Sequence, residues 1–118
     1  MTTAQKAVRT DVPRAEVIAR LNDQLRTTGT GGTIMITQNV KRITGFDAAV
    51  LTKTLAEYSH FDADNEHHER DFGAMTLWGW DLLFKVDYYC PSLKFASEDP
   101  ADPQKTHRVL TVMLASDW

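Results

Sequence analysis

The sequence predicts an α+β fold in which two helices pack on one face of a small antiparallel sheet of about four strands. Three observations lead to this prediction. Apolar residues recur at helical spacing in two early segments, at about 12–29 and 44–59. A Trp-Gly-Trp turn joins two runs of strand-forming residues over 74–89. The chain then ends on a β-branched run over 106–118.

The first helix is predicted to begin near Asp11, which has a suitable side chain for an N-cap, with Pro13 in its first turn. Gly29 follows the last apolar position and predicts a left-handed end to the helix. A short β-branched segment over 32–37 then predicts a strand. The apolar face of the helix consists of Ile18, Leu21 and Leu25, with Val17 beside them.

The segment 40–45 is compatible with either a turn of helix or a strand remnant. Thr44 followed three residues later by Asp47 has the spacing of a capping box, so a second helix is predicted to begin there. Its buried stripe is predicted to contain Ala48, Leu51, Leu55 and Tyr58.

The second half of the chain predicts a hairpin, a loop and a final strand. Gly79 lies between two runs of strand-forming residues, and the loop over 90–104 is rich in proline and acids. The last segment could also form a helix opened by Asp102-Pro103, but its β-branched content favours a strand. One face of the second hairpin arm consists of Leu82, Phe84, Val86 and Tyr88.

Length and composition predict one domain over 12–118 preceded by a flexible segment over 1–11. Apolar residues make up 42% of the 118 residues and charged residues 25%, which are ordinary globular values. The net charge of −3 argues against non-specific binding to nucleic acid, which depends on basic surface. Cys90 is the only cysteine, so an internal disulfide is impossible. With no apolar signal or membrane-spanning run, a cytoplasmic protein is expected.

Six ordered segments resemble the hallmark segments of a domain-of-unknown-function family: RLNDQLRTTGTGG, FDADN, ERDFG, FKVDYY, SEDPADP and RVLTVMLASDW. The likeness extends from about Val17 to Trp118. Members of that family are small proteins of alphaproteobacterial plasmids, phages and chromosomes. The resemblance implies a shared fold and a mobile-element setting, but no reaction. The sequence departs from the family at Arg70, where histidine is usual.

The stretch FDADNEHHERDFG, residues 61–73, holds the densest group of possible functional side chains. A calcium loop would need glycine at its sixth position and glutamate at its twelfth, but His67 and Gly73 stand there. Zinc could take His67 and His68 with a carboxylate, although adjacent histidines usually point apart. No metal site or cofactor is therefore predicted. The acids are predicted either to form a solvated loop or to contact a basic partner: Asp62, Asp64, Glu66, Glu69 and Asp71.

No catalytic residue is predicted. Cys90 could pair with a histidine, and Asp71 with Asp87, but no local pattern marks either pair as activated. The glycines of TGTGG, residues 28–32, follow a helix and precede a strand, the reverse of a phosphate-binding loop. Trp78 and Trp80 either share a strand face or flank the turn, and an exposed pair would suit an interface anchor.

The leading hypothesis is a non-enzymatic protein-binding module that places acidic loops, and the tryptophans, against a basic surface. With the mobile-element setting, it becomes an anti-CRISPR-like inhibitor of a host protein or ribonucleoprotein complex, without direct nucleic-acid or membrane contact. The alternative is a small metal-dependent hydrolase or ligand-binding protein that uses His67 and His68. A third possibility is a plasmid-maintenance accessory that self-associates through its sheet edge.

Overall fold

Three helices and four strands make up the computed structural model, which describes residues 12–61 and 67–118. In chain order the helices are α1 (Arg14–Thr28), α2 (Gln38–Lys41) and α3 (Ala48–Glu57). The strands are β1 (Gly32–Ile36), β2 (Phe72–Leu77), β3 (Trp80–Tyr89) and β4 (His107–Leu114), and a 3-10 turn over Ala115–Asp117 follows. The predicted α+β fold with four strands is confirmed, and the last segment is a strand rather than a helix.

The sheet has the order β1-β4-β3-β2. The β2-β3 and β3-β4 pairs are antiparallel, as predicted. The β1-β4 pair is parallel, so the sheet is mixed and differs from the predicted antiparallel sheet at this one pairing. The chain reaches β4 from β1 through two helices and a hairpin, a connection long enough to return a strand in the same direction.

One face of the sheet carries the core, and both longer helices contribute to it. Leu25 of α1 and Leu51 and Leu55 of α3 are buried with Phe84 and Val112 of the central strands. The period-2 burial of β3 and β4 explains why alternate residues of each strand join this cluster. The further sheet residues in the cluster are Leu82, Val86 and Leu110.

The helix ends follow the sequence in one case and differ in the other. Gly29 has φ 76° and ends α1 in the left-handed conformation, as predicted. Helix α3 begins one turn later than predicted, because the Asp47 carboxylate accepts hydrogen bonds from the Ala49 and Val50 N–H groups. The predicted cap at Thr44 and buried position at Ala48 are therefore wrong, and Ala48 is exposed. Asp11 lies outside the described residues.

Candidate functional site

Trp78 and Gly79 form the two-residue turn of the β2-β3 hairpin, and Trp80 follows as the first residue of β3. Trp78 and Gly79 have φ values of 54° and 81°, as expected for the tight turn that matches strand twist. The Trp78 ring is partly buried against Phe46, with centroids 5.5 Å apart. Trp80 instead starts β3 opposite Leu77 and stays 51% exposed. The two tryptophans thus flank Gly79, which is one of the two predicted arrangements, and of the two only Trp80 is strongly exposed.

Two exposed carboxylates lie around Thr76 of β2. Asp81 follows Trp80 in β3, and its Oδ1 accepts a 3.1 Å hydrogen bond from Thr76 Oγ1. Glu57, the last residue of α3, lines a cleft that Thr76 also lines. We call these four residues, Glu57, Thr76, Trp80 and Asp81, the hairpin-tip surface. Trp80 and Asp81 are neighbours in β3, so the exposed ring and the Asp81 carboxylate lie on the two opposite faces of the hairpin tip.

The cleft itself runs between the end of α3 and the outer side of β2. Its volume is about 320 Å³. Tyr58 stands at its base, where its hydroxyl accepts a 3.2 Å hydrogen bond from the Ala74 N–H and donates to the His60 carbonyl. The cleft therefore lies directly along the free edge of the sheet. Its lining residues are Thr54, Glu57, Tyr58, His60, Ala74, Met75 and Thr76.

The predicted acidic segment, residues 61–73, is described at Phe61 and from His67 onward. Asp62, Asp64 and Glu66 lie outside the described residues. His67 and His68 are exposed, and His68 has a left-handed φ of 61°. Glu69 and Asp71 are partly buried instead of standing out as a fully solvated pair.

Glu69 is tied to the sheet and to α1 by a hydrogen-bond network. Its Oε1 accepts a 2.8 Å bond from the Tyr88 hydroxyl, and its backbone carbonyl accepts a 3.0 Å bond from Asn22 Nδ2. Asn22 Nδ2 also donates to the Tyr88 hydroxyl oxygen at 2.8 Å. Burial raises the pKa of Tyr88 far above its usual range, and the Glu69 carboxylate raises it further. The hydroxyl therefore stays protonated and remains a donor to Glu69.

The same network holds a buried cation. Arg108 of β4 is 2% exposed, and its Nε donates a 2.9 Å hydrogen bond to Asn22 Oδ1. Its second terminal nitrogen donates to the Pro100 carbonyl, and its guanidinium lies 5.3 Å from the Tyr88 ring centroid. Burial lowers the pKa of Arg108, whereas the Glu69 carboxylate acts in the opposite direction. The arrangement joins α1, the sheet and the proline-rich loop.

Arg70 forms ion pairs with α1. Its guanidinium contacts the Asp23 carboxylate at 2.8 Å and both Glu16 carboxylate oxygens at 3.2 Å. Hydrogen bonds to Asp23 and then Glu16 raise the pKa of Arg70. The Arg70 guanidinium in turn lowers the pKa of Glu16. Residues 69 and 70 together therefore fasten the end of the acidic segment to the first helix.

Arg26 is a second buried arginine, and it closes the C-terminal end of α3. Its Nη1 donates to the carbonyls of Leu55 at 3.0 Å and Tyr58 at 3.1 Å. Its Nη2 pairs with Asp23 at 2.8 Å, and the guanidinium lies 5.1 Å from the Phe61 ring centroid. The last carbonyls of a helix lack partners within the helix, so this side chain supplies the missing donors.

The other predicted sites are scattered over the fold. Among residues 12–61 and 67–118, no group of three His, Cys, Asp or Glu side chains could hold a metal ion. Cys90 is partly exposed and contacts Ser92 Oγ at 3.2 Å, which is the main cause of a pKa lowered to about 7. Asp87 pairs with Lys85 at 2.5 Å. Asp99, in the loop over 90–104, pairs with Arg14 at 2.8 Å.

A family profile described as "Protein of unknown function (DUF3768)" matches residues 36–117, more than half of the chain. The chain belongs to the DUF3768 family. Comparisons with curated proteins and with solved structures found no match. In the part of the DUF3768 chain that the structure describes, no helix has the length and apolar character needed to cross a bilayer.

The sequence interpretation missed the polar side chains of the DUF3768 core. Asn22 lies four residues after Ile18 and three before Leu25, so helical spacing puts it on the buried face of α1. That spacing is a usable signal, because a polar residue on an apolar stripe needs a partner when buried. Arg108 lies two residues before Leu110 and four before Val112, so strand alternation puts it on the buried face of β4 in the same way. Spacing could not show its partners, which come from α1 and from the loop before β4.

Proposed function

We propose that this DUF3768 protein is a non-enzymatic protein-binding module that docks its hairpin-tip surface and acidic segment on a basic partner surface. The observation that carries the proposal is the 51% exposure of Trp80 beside a tight hairpin turn. Tryptophan is enriched among residues that dominate interface energies, and a rigid anchor loses little entropy on binding.

Charge around this anchor supports a basic partner. Glu57 and Asp81 are exposed, and both lie beside Thr76. Six acids and one base occur in the sequence between Glu57 and Asp71. A local excess of carboxylates accelerates association with a positive surface and favours one orientation, even though the net charge of the chain is only −3.

The acids do not all suit this role equally. Glu69 accepts the Tyr88 hydrogen bond, and Asp71 is partly buried, so reversing either charge would disturb the fold as well as the surface. The binding test therefore uses Glu57 and Asp81, and Asp62, Asp64 and Glu66 stay predicted partner contacts. Glu69 and Asp71 remain predicted partner contacts that need conservative amide variants.

The specific form that we propose is an anti-CRISPR-like inhibitor of a host defence complex. Its support is the resemblance to small proteins of plasmids and phages, together with surface acids that could compete with nucleic acid for a basic groove. Such an inhibitor would act by occupying the groove. It would need neither a cofactor nor contact with the nucleic acid itself.

The experiment is a pull-down from an alphaproteobacterial lysate with the tagged full chain, read by quantitative mass spectrometry. Trp80→Ala and the double variant E57K/D81K should each reduce recovery of the captured partner by about tenfold or more, as for the loss of an interface hot spot. Phe95→Ala and Glu98→Lys are matched controls, because Phe95 is 74% exposed and Glu98 is exposed on a different loop.

A partner recovered equally by wild type, W80A and E57K/D81K would refute the proposed surface. The anti-CRISPR form has its own readout, the plating efficiency of a phage on a strain with active CRISPR immunity. Expression of the wild-type chain should raise plating, and W80A should not. If plating stays unchanged while the pull-down succeeds, the proposal of a protein-binding module is supported and the proposal of an anti-CRISPR-like inhibitor is refuted.

A further inference from the structure

The outer edge of β2 carries backbone groups that face away from the sheet. The Val86 N–H donates to the Asp71 carbonyl at 2.8 Å, which makes Phe72-Lys85 a pair without mutual hydrogen bonds. The alternation of an antiparallel ladder then points the N–H and C=O groups of Phe72, Ala74 and Thr76 outward. The bond from the Ala74 N–H to the Tyr58 hydroxyl agrees with that direction.

The Tyr58 hydroxyl accepts a hydrogen bond from one of these outward groups, the Ala74 N–H. Three further outward groups remain, one on Ala74 and two on Thr76. In the described part of the chain, the Ala74 and Thr76 carbonyls accept no hydrogen bond and the Thr76 N–H donates none, and both residues are exposed. Groups in this alternating order match the backbone of a neighbouring strand and no other regular structure. The cleft of about 320 Å³ beside them gives space for that strand.

Within the part of the chain that the structure describes, β2 lacks three features that often protect a strand edge from pairing, namely charge, proline and a bulge. Its sequence, FGAMTL, contains no charged residue and no proline. All six residues pair in continuous register with β3, so no bulge twists the edge away. An unprotected edge is a template for strand addition, which is a common mode of peptide recognition.

The cleft also indicates the charge of the added strand. Glu57 is exposed at the end of α3 and lines the cleft opposite Thr76. Asp81 is hydrogen-bonded to Thr76 from the neighbouring strand. An extended segment that pairs with β2 therefore passes beside the Glu57 carboxylate in the cleft, and a lysine or arginine side chain would complement it.

We infer that the β2 edge binds an extended basic segment of another protein by strand addition, with Glu57 contacting a cationic side chain. This inference rests on the proposed function and names its binding mode. The Ala74 carbonyl and the two Thr76 backbone groups pair with the segment. The Tyr58 hydroxyl at the Ala74 N–H marks the end of the pairing and fixes its register.

The test measures binding of a fluorescent peptide, acetyl-Lys-Val-Lys-Val-Lys-Val-amide, to the full chain by anisotropy. A version N-methylated at alternate residues keeps the charge but loses the backbone donors on one side. Two such peptides are compared, one methylated along the edge that pairs with β2 and one methylated along the opposite edge. We expect the first to bind about tenfold or more weakly than the second. An acidic peptide with Glu in place of Lys should not bind.

Protein variants separate backbone pairing from general charge attraction. Thr76→Pro removes an N–H that does not belong to the β2-β3 ladder, and proline is tolerated at such edge positions. It should abolish peptide binding, whereas Thr76→Val, which also loses the Asp81 bond but keeps the N–H, should bind normally. Glu57→Lys should weaken binding about tenfold, and the control Glu98→Lys should not.

Equal binding of the two N-methylated peptides, or no binding of the basic peptide, would overturn the inference even if T76P failed to fold. A dimer that T76P abolishes would name a second copy of the chain as the occupant and would also overturn it. If the lysate pull-down succeeds equally with wild type and a folded T76P variant, the binding module stands and strand addition is wrong.

Discussion

The Tyr88 hydroxyl donates a 2.8 Å hydrogen bond to the Glu69 carboxylate and accepts one of the same length from Asn22. This relationship means that the acidic segment is attached to the sheet at its second half. Glu69 thereby contributes to the fold, so its charge is unavailable as a simple surface feature. The chain uses one carboxylate of an acid-rich stretch to join α1, β3 and the segment before β2.

Tyr88→Phe tests the structural value of that bond. The variant leaves the Glu69 oxygen and one Asn22 donor without their partner in a partly buried site, so we expect the free energy of unfolding to fall by about 1–3 kcal/mol. Urea denaturation followed by circular dichroism measures the change. Tyr89→Phe is the matched control, because its side chain lies on the opposite face of β3. Equal stability of Y88F and wild type would contradict the network.

Arg26→Met tests the cap of α3. Arg26 is 7% exposed and serves the carbonyls of Leu55 and Tyr58 together with the Asp23 carboxylate. Removing it leaves the Leu55 and Tyr58 carbonyls without their donor, whereas Asp23 keeps its Arg70 partner. We expect the free energy of unfolding to fall by about 1–3 kcal/mol, as for buried acceptors left unsatisfied.

The control for this prediction is Arg20→Met. Arg20 pairs with Glu16 at the surface of the same helix, and an exposed i, i+4 pair contributes about 0.3–0.5 kcal/mol. Thermal melts of both variants at one ionic strength give the comparison. A similar small loss for R26M and R20M would show that the Arg26 bonds add little to stability.

Asp71→Asn tests the pH dependence of stability. Burial is the main cause that raises the pKa of Asp71, against a backbone hydrogen bond that lowers it, and the Glu69 charge also raises it. The folded chain therefore holds this proton more tightly than the unfolded chain, so the ionised carboxylate costs stability above its folded pKa. D71N should be more stable than wild type at neutral pH.

The advantage of D71N should shrink as the pH falls through the raised pKa of Asp71 and vanish below the ordinary aspartate range, where wild type is protonated in both states. Denaturant titrations across this pH series measure the difference. Glu98→Gln, at an exposed loop position, is the control and should show no such trend. A D71N advantage that grows toward acidic pH would contradict the burial of this carboxyl.

Alkylation of Cys90 tests the thiol environment. Ser92 Oγ and then the Phe95 N–H contact its sulfur and lower the pKa of Cys90 to about 7. Because the thiolate is the reactive form, the iodoacetamide rate should reach half its maximum near that pH. Ser92→Ala should move the midpoint upward, toward an ordinary thiol. As the chain has one cysteine, mass spectrometry reads the rate directly; coincident profiles for the two proteins would refute the role of Ser92.

Local signals in the sequence determined most of the fold of this DUF3768 protein. The helical spacing of Ile18 and Leu25, the glycine at position 29 and the Trp78-Gly79 turn each depend on neighbours within a few residues. The four strands and the α+β class followed from those patterns. The N-cap of α3 was predicted at Thr44 because Thr44 and Asp47 both have side chains that can cap a helix. In the structure the Asp47 carboxylate accepts the capping hydrogen bonds.

Only the tertiary structure decided what joins residues that are distant in the chain. The parallel pairing of β1 with β4, the contact of Arg70 with Asp23 and the outward-facing groups of Thr76 each require two segments to be placed side by side. Spacing along one segment carries no information about such partners, because the pairing energy depends on which faces and edges meet after packing. For that reason the composition of the acidic segment was readable from the sequence, whereas the inward position of Glu69 was not.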